Sequence, residues 1–317
     1  MTWEGFALVL SGALLLALFQ VINKKLLIQS APADCISVAN FLGSGVALFG
    51  VAYAFNPPVI GSWWAFPEGL FWPLIVTSLL NIVILFGSTR AFQYGDVSLI
   101  GPIAATQPLV VLIPSWLVLG EVPGMWGYVS LWLLAVGMYV FSFGTEVFLL
   151  SPDGKKIPWT PPQAIKWMGV YARYAAPPIM LFKNKGVRIA LLVAVCGAIS
   201  VNFDKLSALR SSYMFAPAFI LVFCGLIGLI KTMITKEWQK VRQEHLMSLF
   251  FNPIIFLLVM VCFWFAFDFG FAAYVGALKR TTAIFSLLLG WWFLKEGVKN
   301  RWPGAALMTA GAAGLSL

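Results

Sequence analysis

The sequence predicts an all-α membrane protein: about ten transmembrane helices arranged as two inverted five-helix repeats. Three observations lead there. Of 317 residues, 61% are hydrophobic and only 10% charged, against about 25% charged in soluble globular chains. With a mean hydropathy of +0.89, that much apolar surface cannot be hidden inside a water-soluble core. The apolar residues also fall into runs of the ~20 residues that a helix needs to cross a bilayer. Finally, one long polar segment divides those runs into two sets of five.

The runs lie at 5–27, 34–55, 69–90, 97–119, 126–150, 188–208, 213–234, 250–272, 273–294 and 301–317. The first continues into an ordinary span and is read as one, not as a cleavable signal. Pro102 and Pro108 interrupt the fourth, because proline lacks the N–H that continues a helix. Barely a turn separates the eighth from the ninth, and the tenth is short, so nine or ten spans satisfy the pattern. The polar segment 151–187 opens with "SPDGKKIPWTPP", a proline-rich turn that no helix crosses. It continues with "QAIKWMGVYARYAA", where Lys166 and Arg173 stand seven residues apart on one face of an α-helix. Trp167, Val170, Tyr171 and Tyr174 add apolar surface. The pattern predicts a helix over 163–175 lying on anionic lipid, with a solvated linker as the alternative.

The expected organisation is therefore a first repeat at 1–150, a basic connection at 151–187 and a second repeat at 188–317. The halves share landmarks. "VINKKL" at 21–26 ends the first span and "VNFDKL" at 201–206 the sixth; "LVLGEVPGMWG" and "WFLKEGVKNRWPG" link the fourth to the fifth span and the ninth to the tenth. Lys25 and Lys205 are 180 positions apart, Glu121 and Glu296 are 175 apart, and such similar offsets indicate a duplication. Five spans per half force the copies into opposite orientations, the plan of many secondary transporters. Of the 21 Lys and Arg residues, 17 lie in the odd-numbered connections. The positive-inside rule then places those connections and 151–187 in the cytoplasm, and both termini outside. The segment 56–68, which carries no positive charge, falls outside with them.

The formal charge of +9 does not point to nucleic acid, because the cations sit in short clusters between spans and no soluble basic face is visible. Cys35, Cys196, Cys224 and Cys262 are scattered through apolar runs without zinc or disulfide spacing, which predicts buried, small hydrophobes. The single histidine, His245, stands among charged residues and is expected at the surface. No metal or other cofactor is expected. A membrane-embedded enzyme would need intramembrane His, Ser–His or acidic clusters, which the spans lack. No phosphate-loop motif exists to hydrolyse ATP. Ala306, Ala310 and Gly314 give the last span a small-residue face for packing inside the bundle or between the protomers of a homodimer.

The charges that need explaining lie within spans. Lys279 and Arg280 are adjacent in "YVGALKRTT", and a charge at bilayer depth costs at least ~2.5 kcal/mol. On the ten-span arrangement, Lys205, Asp204 and Asp268 share their membrane face. Three explanations compete: snorkelling to the interface, neutralisation of the bases by the two acids, and an anion clamp. In the clamp, Arg280 offers a planar fork for phosphate or carboxylate and Lys279 and Lys205 add point charge. Thr281 and Thr282 would donate hydrogen bonds, and Gly276 would let a broken helix approach the ligand. "IGPIAATQP" at 100–108 occupies the matching place in the first half, with a break but without the basic pair.

On these residues the chain resembles the drug/metabolite transporter superfamily, EamA-type, whose repeats carry a Lys late in the first helix and a Glu after the fourth. Here those are Lys25 and Lys205, and Glu121 and Glu296. "GALKRTT" is also similar to two branches of that superfamily. Nucleotide-sugar transporters have "GALNK" in the equivalent helix, and plastid triose-phosphate translocators have a Lys-Arg pair that grips phosphate with a Lys from helix six. Gly276, Ala277, Leu278, Lys279, Arg280 and Lys205 match those patterns by position. The resemblance implies a multi-pass protein of the cell (plasma or inner) membrane that carries a small anionic, phosphorylated metabolite by alternating access. The alternative is an exporter of amino acids or cationic drugs, although such small multidrug carriers use an acid buried in the first helix, where this chain has only Glu4 at the start.

Overall fold

The fold is seen in a computed structural model that describes residues 1–28, 32–55, 69–94, 97–143, 148–150, 156–294 and 301–316. Among them, nine helices are long and apolar enough to cross a membrane. In chain order the helices are α1 (Trp3–Ile28), α2 (Ala33–Phe55), α3 (Phe71–Tyr94), α4 (Val97–Ala104), α5 (Gln107–Val110), α6 (Leu112–Leu119) and α7 (Met125–Ser142). They continue with α8 (Ala176–Met180), α9 (Lys185–Arg210), α10 (Phe215–Ile234), α11 (Gln243–Phe265), α12 (Ala272–Leu278), α13 (Thr282–Leu294) and α14 (Trp302–Gly314). The protein is an all-α, multi-pass membrane protein. Its contacts define two compact units, Met1–Asn81 with Ser200–Glu296 and Ile82–Ile199 with Gly297–Leu317, so each unit takes helices from both sequence halves.

In the first unit α2 packs along α10, and α1 along α11 and α13. Small residues set the approach. A Cβ on Gly225 of α10 would lie 2.8 Å from the Leu42 side chain of α2, and one on Gly45 would lie 2.8 Å from Val222. Lipid tails are as apolar as the helix faces, so close backbone approach and van der Waals contact hold such pairs together. The core gathers Phe19, Leu48, Ala218, Leu221 and Phe256, with the Phe19 and Phe256 rings stacked at 4.9 Å. The first turn of α2 is tied to the last turn of α10 by an ion pair between Asp34 and Lys231.

In the second unit α14 lies along α7. A Cβ on Gly304 would fall 2.3 Å from the backbone nitrogen of Phe141, and one on Gly311 2.7 Å from that of Leu134. This relocates the small-residue face expected on the last span. Gly304, Met308 and Gly311 are buried against α7, while Ala306 and Ala310 are exposed. Of the expected trio, only Gly314 meets α7, where a Cβ would lie 2.3 Å from Ser130 Oγ. The expected interruption of the fourth span is present, as three short helices, α4 to α6, with a turn at Ala105–Thr106.

Three expectations change. The fifth span ends at Ser142 rather than 150, because Phe148–Leu150 forms a strand paired antiparallel with Lys156–Pro158. The pairing depends on the polar segment that follows, so the apolar run read by itself could not announce it. Residues 151–155, between these strands, lie outside the described residues. Second, 163–175 is a 3-10 helix kinked at Gly169 (φ 55°). At 3.0 residues per turn, and across a kink, Lys166 and Arg173 do not keep the shared face that α-helical spacing implied. Trp167 and Tyr171 are 83% and 69% exposed, whereas Tyr174 packs edge-on against Phe143. Third, His245 is not on the surface. The eighth span begins earlier than expected, and His245 sits fully buried in the first turn of α11. Its Nδ1 accepts the backbone N–H of Arg242 at 3.3 Å, satisfying a free donor at the start of the helix.

Candidate functional site

Every proposed site residue whose side chain is described belongs to the first unit. The ninth span is broken as "GALKRTT" suggested, but the break is at the charges and not at Gly276. Lys279–Thr281 is a single 3-10 turn between α12 and α13. Its cause is local. Thr281 Oγ1 donates to the carbonyl of Leu278 at 2.7 Å, and Thr282 Oγ1 donates to that of Lys279 at 2.6 Å. Hydroxyls that bond back into the helix in this way compete with its backbone ladder. The two threonines therefore spend their protons on the break itself. Gly276 lies within α12 facing Val201, and a Cβ there would meet it at an ordinary 3.6 Å.

The break carries the basic pair. Lys279 Nζ stands 4.8 Å from the centroid of the Phe263 ring, a cation–π contact. Arg280 has its Nε buried without a hydrogen-bond partner. The ion pair found within 4.0 Å among the described residues is Lys231–Asp34, so neither Lys279 nor Arg280 is neutralised by direct contact with an acid. α1 packs over the turn and over α13, where Ser286 Oγ donates to Gln20 Oε1 at 2.8 Å.

The other expected clamp residues have the following partners. Lys205 is 8% exposed and donates from Nζ to the carbonyl of Gly270 at 2.6 Å, holding the turn that leads into α12. Asp268 is exposed and accepts from Tyr213 Oη at 2.9 Å. Burial, followed by this hydrogen bond and the Asp268 charge, pushes the Tyr213 phenol up to about 12, so it remains a donor at neutral pH. The Lys25 side chain and all of Glu296 lie outside the described residues. Glu121 follows Gly120, whose φ of 68° ends α6, and its carboxylate accepts from Ser115 Oγ at 2.9 Å. That pairing gives the glycine–glutamate landmark a helix-terminating role.

Sequence reasoning missed the partners of Asp204. Its carboxylate accepts a hydrogen bond from Thr77 Oγ1 of α3. Thr77 Oγ1 is 2.9 Å from Ser200 Oγ, one turn before Asp204 on α9. Asn81 Nδ2 lies 3.0 Å from Ser200 Oγ and 2.9 Å from the Thr77 carbonyl. Thr77 has one proton, committed to the carboxylate, so Ser200 donates to Thr77 and Asn81 to Ser200. A polar Thr–Asn pair one helical turn apart in an apolar run was the available signal. A second missed feature is a cavity of about 330 Å³ lined by Phe19, Asn23, Ile36, Asn40, Phe41 and Phe256, where the buried Oδ1 of Asn40 finds no partner. Among the described residues no three His, Cys, Asp or Glu side chains gather where they could hold a metal ion.

No curated protein matches the chain. One solved structure, titled "Crystal structure of protein", superposes with a TM-score of 0.66 at 16% identity over 99% of this chain and 95% of that one; that likeness concerns the fold alone. Residues 3–143 match the EamA-like transporter family. Taken with the multi-pass helical fold, this match makes the first part of the chain similar to membrane transporters of small molecules.

Proposed function

We propose that this protein is a secondary transporter in the cell membrane that carries a small anionic, phosphorylated organic metabolite by alternating access, its halves 1–150 and 188–317 acting as inverted repeats. One observation supports the reading above the others. Lys279 and Arg280 stand together at a helix break inside a span, and among the described residues no acid forms an ion pair with either of them. A cationic pair held at bilayer depth marks a substrate path, and a guanidinium beside an ammonium suits a phosphate group. A thermal-shift screen of the purified protein against matched phosphorylated and unphosphorylated metabolites tests this. Stabilisation by the phosphorylated members alone is the expected result, and stabilisation regardless of phosphate would remove the anion from the proposal.

Asp204 favours a second reading, a zwitterionic amino acid whose carboxylate meets Arg280 and whose ammonium meets Asp204. In the same screen, that reading predicts stabilisation by amino acids, lost in Asp204→Asn.

A further inference from the structure

We propose that Asp204 is a proton-coupling carboxylate, which takes up a proton when an anion binds at Lys279 and Arg280, so that the transported species is an anion with a proton. The proposal rests on the anion reading above and adds the coupling that the reading lacks. It begins from the partly buried chain Asn81–Ser200–Thr77–Asp204, a run of hydrogen bonds ending on an acid within a span. Among the described residues, the charged and titratable groups that act on this acid are Lys279 at the break, with Arg280 beside it, and the Cys224 thiol of α10. Lys205, its neighbour in sequence, is turned to the Gly270 carbonyl.

With the site empty, an ionised Asp204 offsets the charge of Lys279 through space. An arriving anion would meet that negative charge in a medium of low dielectric, where like charges repel far more than in water. A proton on Asp204 removes the repulsion and leaves the basic pair its full charge. Anion and proton therefore each favour the other's binding, and such coupling is reciprocal. The hydroxyl chain accommodates both states. Thr77 donates to the carboxylate when it is ionised. When it is protonated, the acid donates to Thr77, and rotations of the Thr77 and Ser200 hydroxyls turn the Thr77 proton to Ser200 and the Ser200 proton away from Thr77.

The test is calorimetric titration of the full chain in nanodiscs with sulfate, which keeps its charge between about pH 5 and 9. Buffers with different ionisation enthalpies report the protons exchanged. The expected result is uptake approaching one proton per sulfate, with affinity falling about tenfold per pH unit once Asp204 ionises in the empty protein. Asp204→Asn keeps an acceptor for Thr77 and should bind sulfate independently of pH, with no proton taken up. Cys224→Ser should behave as the unsubstituted chain. Sulfate binding without proton uptake, or uptake that persists in Asp204→Asn, overturns the coupling and leaves the anion site standing. No sulfate binding at any pH overturns both. If Asp204→Asn does not fold, the proton count on the unsubstituted chain still decides.

Discussion

Lys205 Nζ donates a 2.6 Å hydrogen bond to the carbonyl of Gly270, joining α9 to the turn that starts α12. Lys205 is 8% exposed, so its removal leaves a partly buried acceptor unpaired. Lys205→Met should lower unfolding stability by about 1.5–3 kcal/mol, the range for hydrogen bonds to charged groups. Chemical denaturation in detergent measures it. A loss of anion affinity with unchanged stability would return Lys205 to the clamp.

Arg280 is expected to behave in the opposite way. Its Nε has no partner, so Arg280→Ala should leave stability unchanged while anion binding collapses. One desolvated, charge-assisted contact corresponds to about 2–5 kcal/mol, or roughly 30- to several-thousand-fold in affinity. Arg280→Lys should restore only part of it, because an ammonium cannot reproduce the guanidinium fork. The competing idea, a pair neutralised by Asp268, predicts that Arg280→Ala destabilises the protein and that Asp268→Asn rescues it. Asp268 bonding to Tyr213 argues against that rescue.

The face of α14 gives a steric prediction. Gly304→Leu would push a side chain into the Phe141 backbone, where even a Cβ falls at 2.3 Å, and overpacking of this kind costs about 1–3 kcal/mol or more. Ala310→Leu, on the exposed face, should be neutral. Size-exclusion profiles after heating compare the two, and equal tolerance would refute the packing described.

The charge asymmetry predicts an orientation. In a background without reactive cysteines, an impermeant thiol reagent applied to intact cells should label Ile60→Cys and spare Lys155→Cys. The reverse pattern would invert the topology and put 151–187 outside.

The 3-10 segment Gln163–Ala175 exposes Trp167 and Tyr171 beside Lys166. Such surface suits the boundary of an anionic bilayer. Hydrogen exchange there should slow in anionic nanodiscs relative to neutral ones, and equal rates would leave only a solvated linker.

The sequence by itself determined that the chain is helical, lies in a membrane, breaks its fourth span and holds two cations inside its ninth. Each of these is written locally, in hydropathy over ~20 residues, in a proline's missing N–H or in adjacent charges. The tertiary structure decided what those charges touch. Thr77 and Asp204 are 127 positions apart, and Lys205 and Gly270 are 65 apart. Nothing near either residue names its partner, because a buried polar group bonds to whatever distant segment packing delivers. His245, a surface residue by its neighbours, is buried by the packing around its helix, and Phe148–Leu150, apolar enough for a span, is claimed by a strand. Local propensity selects the elements; which faces meet depends on close packing between helices far apart in the chain, and Gly304, not Ala310, is where the last one fits.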